Sequence, residues 1–146
     1  MTPQRVTMIT LGVASLDRDG AFYAALGWQK HARSLDDITL FQLNGLVLAL
    51  FETSDLAADQ GREDASLGTG NMTLAIAYAT EPEADQAFAS ALEAGAQCLK
   101  ALQKAAWGGY SGYYADPDGH IWEIAVNPNW PLSADGSVTL PPPAEG

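Results

Sequence analysis

Two rhythms of apolar and polar positions alternate along this chain. Residues 6–13 are rich in β-branched and apolar side chains, with Gly12 near the end, and read as a strand. Ser15 then offers an N-cap to Leu16-Asp17-Arg18-Asp19, where acidic side chains meet the positive end of a helix dipole. Phe22, Tyr23 and Leu26 form a core-facing stripe at helical spacing, and Gly27 suits the position just past the helix. Residues 28–35, 38–42 and 46–51 read as three further strands. Asn44-Gly45, between the last two, is a strong hairpin signal because both residues tolerate positive φ. In the last strand both faces are apolar, Val47, Ala49 and Phe51 on one and Leu46, Leu48 and Leu50 on the other. That strand should be covered on both sides. A short helical turn is expected within 54–64.

The pattern then restarts. Residues 64–71, with Gly68 and Gly70, read as a linker, and 72–78 as a strand. Pro82 fits the first turn of a helix capped near Thr80 or Glu81. Ala87, Phe88, Ala91 and Leu92 line one side of that helix, which ends at Gly95. Residues 97–99 read as a short strand. Residues 112–115 and 121–125 read as a hairpin about Asp116-Pro117-Asp118-Gly119, a turn whose side chains satisfy backbone N–H groups. Gly95 follows Gly27 by 68 positions and Gly119 follows Gly45 by 74, a drift that loop insertions between duplicated units produce. After Pro128 a Pro-rich stretch cannot hold regular helix. The organisation expected is one domain over 1–130, built from modules 6–54 and 71–127, with a tail at 131–146.

Composition narrows the function classes. The 146 residues carry a net charge of −11, which disfavours phosphate backbones and anionic membrane surfaces. No nucleic-acid partner and no membrane partner are expected. With 47% hydrophobic and 17% charged residues the chain has a globular composition. The single cysteine, Cys98, excludes an intrachain disulfide and a thiolate-cluster metal site. No apolar run is long enough to span a membrane and no secretory leader is evident, so the expected location is cytoplasmic.

Three stretches carry a family resemblance. Leu11-Gly12-Val13-Ala14-Ser15-Leu16 with Ala21-Phe22-Tyr23-Ala24-Ala25-Leu26-Gly27-Trp28 resembles the first strand and helix of the vicinal oxygen chelate superfamily. Tyr113-Tyr114-Ala115-Asp116-Pro117-Asp118-Gly119-His120-Ile121-Trp122-Glu123-Ile124 is similar to its closing hairpin. Lys104-Ala105-Ala106-Trp107-Gly108-Gly109-Tyr110-Ser111-Gly112 resembles a bacterial glyoxalase-like branch. The superfamily holds glyoxalase I, extradiol dioxygenases, methylmalonyl-CoA epimerase and bleomycin-resistance proteins. The resemblance covers about 6–128. It implies an α+β fold, two βαβββ modules forming one curved mixed sheet with a central cleft.

In the metal-using members each module supplies one ligand from its first strand and one from its last. By that resemblance the positions fall at Met8, near Ala49, at Thr73 and at Glu123. Only Glu123 is a carboxylate, and a borderline or hard divalent cation needs three or four N/O ligands. No metal and no other cofactor is therefore expected; the alternative is a divalent ion such as Ni or Zn.

Glu123 sits on an apolar strand face, where a carboxylate is costly unless paired or wet. It is the candidate catalytic base or ligand anchor, against a purely structural ion pair. Trp107 and Tyr110, in a glycine-rich segment, are candidate ligand-covering aromatics, against anchors pinning their own loop. Thr73, Met8 and the hydroxyl of Tyr23 complete the candidate binding set. Trp28, Trp122 and Trp130 read as packing anchors. Two functional readings follow. The first is a small-molecule binding protein of the resistance or sequestration kind, taking an aromatic or cationic ligand and working as a homodimer. The alternative is a lactoylglutathione lyase-like, metal-dependent isomerase or a related dioxygenase using Glu123.

Overall fold

The computed structural model describes residues 1–143, so the last three residues of the expected tail lie outside the described residues. The chain runs β1 (Met8–Val13), α1 (Leu16–Ala25), β2 (Ile38–Gln42), β3 (Val47–Glu52) and α2 (Thr53–Asp59). It continues with β4 (Thr73–Ala77), α3 (Glu81–Glu93), β5 (Gln97–Lys104), β6 (Tyr110–Ala115) and β7 (Ile121–Val126). Among the described residues no helix is long and apolar enough to cross a membrane.

Both main helices start and stop where their sequences direct. The Ser15 hydroxyl accepts from the Arg18 N–H and caps α1, and Thr80 does the same for Glu83 at α3. Just past the helix ends, Gly27 and Gly95 take φ of 96° and 114°, a region that costs a side-chain-bearing residue energy.

The strands form two sheets, ordered β1-β3-β2 and β4-β7-β6-β5. This corrects the expectation of one curved mixed sheet with a central cleft. Each sheet is mixed: its first strand pairs in parallel with its last, β1 with β3 and β4 with β7, and its remaining pairs are antiparallel. No ladder joins the two. β1 and β4 are each an edge strand of their sheet, and among the described residues no backbone-to-backbone bond joins the modules. One apolar core spans both, with Leu11, Phe22, Tyr23 and Leu48 from the first module and Phe88, Tyr114 and Trp122 from the second. As the pattern demanded, Leu48, Ala49 and Leu50 of β3 are fully buried. α1 packs against β3, as does α2, whose Leu56 comes against Gly12 of β1.

The modules differ at one edge. Residues 28–35, expected to be a strand, are irregular. They touch β2 through His31 N–H to the Leu40 carbonyl (2.8 Å), while the Leu40 N–H is taken by the Ser34 hydroxyl (2.8 Å). A side chain thus occupies the position of a ladder carbonyl, which ends the ladder. The second module has β5 at the equivalent edge, longer than the 97–99 expected. Its register shifts twice against β6, and Gly112 is required there: a Cβ would lie 2.7 Å from the Lys100 carbonyl oxygen.

Candidate functional site

The turn Asp116-Pro117-Asp118-Gly119 does more than reverse the chain. One Asp116 oxygen accepts the N–H groups of Asp118 (3.0 Å) and His120 (2.9 Å), as a local turn motif requires. Its other oxygen accepts the Tyr23 hydroxyl of α1 (2.7 Å), and that hydroxyl accepts the indole N–H of Trp122 (3.1 Å). Asp118 Oδ1 accepts the Ala14 N–H (2.8 Å) and the Arg18 guanidinium (2.7 Å). The His120 ring bonds the Gly12 carbonyl through Nε2 (2.7 Å), which places a proton on that nitrogen. The turn of the second module therefore docks onto the β1–α1 corner of the first.

Asp19 is fully buried beside this joint, with one oxygen 3.2 Å from Arg18. Its Oδ1 and Asp118 Oδ2 are buried without a hydrogen-bond partner among the described residues. Burial, and then the hydrogen bond shared with Asp118, pushes the Asp19 carboxyl up to about 7. Burial also works against the Asp118 charge, but the bonds from Asp19, the Ala14 amide and Arg18 hold its carboxyl below the usual range. The two shifts run in opposite directions, so Asp19 holds a proton more readily than Asp118 does. Burial, and then the Asp116 charge, raises the Tyr23 hydroxyl far above the ordinary phenol range, so it stays a donor.

Asp19, Asp116 and Asp118 bring carboxylate oxygens within 4.8 Å of one another, a spacing that could suit a cation. The donors do not fit one. Asp116 spends both oxygens on N–H and O–H donors, and the Arg18 guanidinium already bridges the other two acids. Nor do Met8, Ala49, Thr73 and Glu123 fit the metal quartet of the metal-using relatives. They offer one carboxylate, one hydroxyl, a thioether and a methyl group.

The sequence-derived candidates separate onto different surfaces. Glu123 pairs with Ala75 across β7 and β4, so Thr73, Ala75 and Glu123 share one face of the second sheet. Tyr113, opposite Glu123 on β6, donates its hydroxyl to that carboxylate (3.1 Å). Burial, and then the Glu123 charge, raises the Tyr113 phenol. Met8 lies on the first sheet, 48% exposed. Tyr110 points to the opposite, helix-covered face, where its hydroxyl donates to Asp85 of α3. That bond pushes the phenol up to about 12. Tyr23 is buried in the core, its hydroxyl committed to Asp116 and Trp122. The Trp107 ring, 48% exposed, folds over Gly109, where a Cβ would collide with it at 1.7 Å.

Two cavities flank the joint between modules, and Leu74 borders both. One, of about 530 Å³, is a wedge between β2 and β4 at the C-terminal end of α1. Trp28, Phe41, Tyr78 and Trp122 line it, with Leu48 and Ile76, and no charged residue does. Trp28 stands edge-on to Phe41 and to Trp122, each with centroids 5.8 Å apart. The other, of about 480 Å³, lies between β1, α2 and the stretch leading to β4.

Sequence reasoning missed Asp19 and the aromatic wedge. Asp19 carried a signal: it precedes Phe22 by three and Tyr23 by four, which places it on the apolar stripe. The wedge carried none, because Trp28, Phe41, Tyr78 and Trp122 come from four separate segments.

Comparisons with known proteins agree with this architecture. The family model described as the Glyoxalase/Bleomycin resistance protein/Dioxygenase superfamily matches residues 5–124. No curated protein matches the chain. Among solved structures, a glyoxalase-related enzyme from Fulvimarina pelagi is 40% identical, with a TM-score of 0.88 over 94% of this chain and 99% of that one. A protein of unknown function from Agrobacterium tumefaciens is 25% identical, with a TM-score of 0.69 over 87% and 97%. A lactoylglutathione lyase from the same organism shares the fold at 20% identity, with a TM-score of 0.64 over 87% and 96%. The chain belongs to the glyoxalase/bleomycin resistance/dioxygenase superfamily, in its glyoxalase-like branch.

Proposed function

We propose that this protein binds a small, flat aromatic molecule, neutral or cationic, in the wedge between β2 and β4. One observation carries the reading: four aromatic side chains border a cavity of about 530 Å³ whose lining holds no charged residue. That volume lies in the range of small-molecule pockets, and aromatic faces attract a cation as well as a ring. Fluorescence titration tests it, since Trp28 and Trp122 border the cavity. 1-Naphthylmethylamine and 1-naphthalenemethanol are expected to quench saturably, and 1-naphthoate at least tenfold more weakly. Trp28→Leu is expected to abolish the quenching while circular dichroism stays unchanged. Equal binding of all three probes, or full binding by the variant, refutes the proposal.

A second reading is enzymatic, with Glu123 as base and Tyr113 holding it in place. What favours it is the 40% identity to a protein described as a glyoxalase-related enzyme. Hemithioacetal isomerase activity, accompanied by stoichiometric Ni²⁺ or Zn²⁺ and abolished by Glu123→Gln, would establish this reading over the first. In this second reading Thr73, which shares the strand face of Glu123, is the further ligand contact.

The working form in this proposal is a homodimer. Met8, Thr73, Ala75 and Ala77 leave strand faces exposed in the single chain. A native mass spectrum at the monomer mass would count against it. The single domain is taken as 1–130, from modules 6–54 and 71–127. The free, exposed Cys98 suits a reducing, cytoplasmic location.

A further inference from the structure

The stretch between the modules, expected to be a plain linker, forms one wall of the second cavity. It is held there: Thr69 Oγ1 lies 3.0 Å from where a Cβ of Gly119 would sit, so the stretch packs directly on the docking turn. We infer that this cavity is a binding site for a small organic anion, a carboxylate or phosphate head on a short apolar body, with Arg62 as its anchor.

The charge inventory of the lining supports this. Arg62 borders the cavity, and among the described residues its guanidinium bonds only the neutral Gln60 side chain, at 3.0 and 2.6 Å. Among the described residues no carboxylate lies within ion-pair reach of it. The single acid of the lining, Asp118, is already committed to Arg18, the Ala14 amide and Asp19. Bonding to Gln60 uses Nε and Nη2 and leaves other guanidinium N–H groups for a bidentate acceptor. The Asn71 amide borders the same space as a further donor, while Leu56, Leu67 and Ile121 supply apolar wall. In a chain of charge −11, a cavity whose acid is ion-paired to Arg18 and whose arginine has no acid within ion-pair reach is a local exception that favours an anion. The wedge is lined differently and has no cation, so this inference does not depend on the aromatic ligand.

Titration calorimetry on the full chain, with hexanoate, 1-hexanol and inorganic phosphate, tests the site. Hexanoate should bind saturably at one per chain, and 1-hexanol at least tenfold more weakly, about 1.4 kcal/mol. Phosphate should compete with hexanoate if the head group is what Arg62 holds. Arg62→Gln should weaken hexanoate at least tenfold and Arg62→Lys by less, since the lysine keeps charge but not the fork. Amide shifts in a heteronuclear NMR spectrum should fall on 62–72 and 118–121, leaving the Trp28 and Trp122 indole signals in place. Failure of hexanoate to bind saturably, equal binding of hexanol and hexanoate, an unaffected Arg62→Gln, or shifts confined to Trp28 and Trp122 would each overturn the site.

Discussion

The two modules each close with a turn of the Asx-Gly type, and the two turns have opposite fates. Asn44-Gly45 joins β2 to β3 in solvent, and its side chain reaches only the backbone of Asp135 in the C-terminal stretch. Asp116-Pro117-Asp118-Gly119 joins β6 to β7, and Asp116 is 3% exposed. It carries the bonds that hold the first module to the second. Duplicated local chemistry therefore does not imply duplicated roles. The same preference for positive φ and side-chain-to-backbone bonding makes a surface turn in one module and a joint in the other. The deciding factor is what lies opposite, and for the second turn that is α1.

Substitutions can break this contrast, beginning at the joint. Asp116→Ala removes an acceptor from the buried Tyr23 hydroxyl and from two half-buried backbone N–H groups. It should lower unfolding free energy by about 3 kcal/mol or more in urea denaturation. A loss below about 1 kcal/mol would mean that the joint contributes little. Tyr23→Phe keeps the ring but strands the Trp122 indole N–H and one Asp116 oxygen. A loss of about 2 kcal/mol is expected in the same assay, with the fold unchanged.

The next effect is a pH dependence. Burial pushes the folded Asp19 carboxyl up to about 7, well above the ordinary carboxylate range, so between the two the folded state binds a proton that the unfolded state has lost. Its stabilisation is complete below about pH 4 and fades as pH rises to 7. Asp118 is shifted the opposite way, so its contribution fades on acidification below the ordinary carboxylate range and leaves that window to Asp19. Asp19→Asn retains a donor toward Asp118 and has nothing to titrate. Thermal melts from pH 4.5 to 8 should fall for the native chain and stay flatter for the variant; parallel curves would disprove the upward shift of the Asp19 carboxyl. Smallest of all is Asn44→Ala at the exposed turn, expected within about 0.5 kcal/mol of the native chain. A loss as large as that of Tyr23→Phe would erase the distinction between the two turns.

Much of the local structure was legible. Ser15, Gly27, Thr80 and Gly95 mark helix ends by chemistry that acts within a few residues. The apolar run of β3 declared its burial on both faces, and the closing hairpin declared its turn. Residues 28–35 misled because Trp28 and Leu35 bracket a polar run that the Ser34 hydroxyl releases from the ladder. β5 was underestimated because its residues are mostly exposed and show no buried alternation. For the candidate site, sequence placed Thr73 and Glu123 on matching strands but could not tell that Tyr110 faces the other way.

The sequence by itself indicated most of the elements and the family, since capping, turn chemistry and alternation are short-range. Only the tertiary structure decided that the strands form two sheets, that Asp19 is buried beside Asp118, ninety-nine positions later, and that Trp28 and Trp122 line one cavity. Those outcomes depend on which face of α1 meets which face of the second module. That choice is made by burying one common core, and no local propensity encodes it.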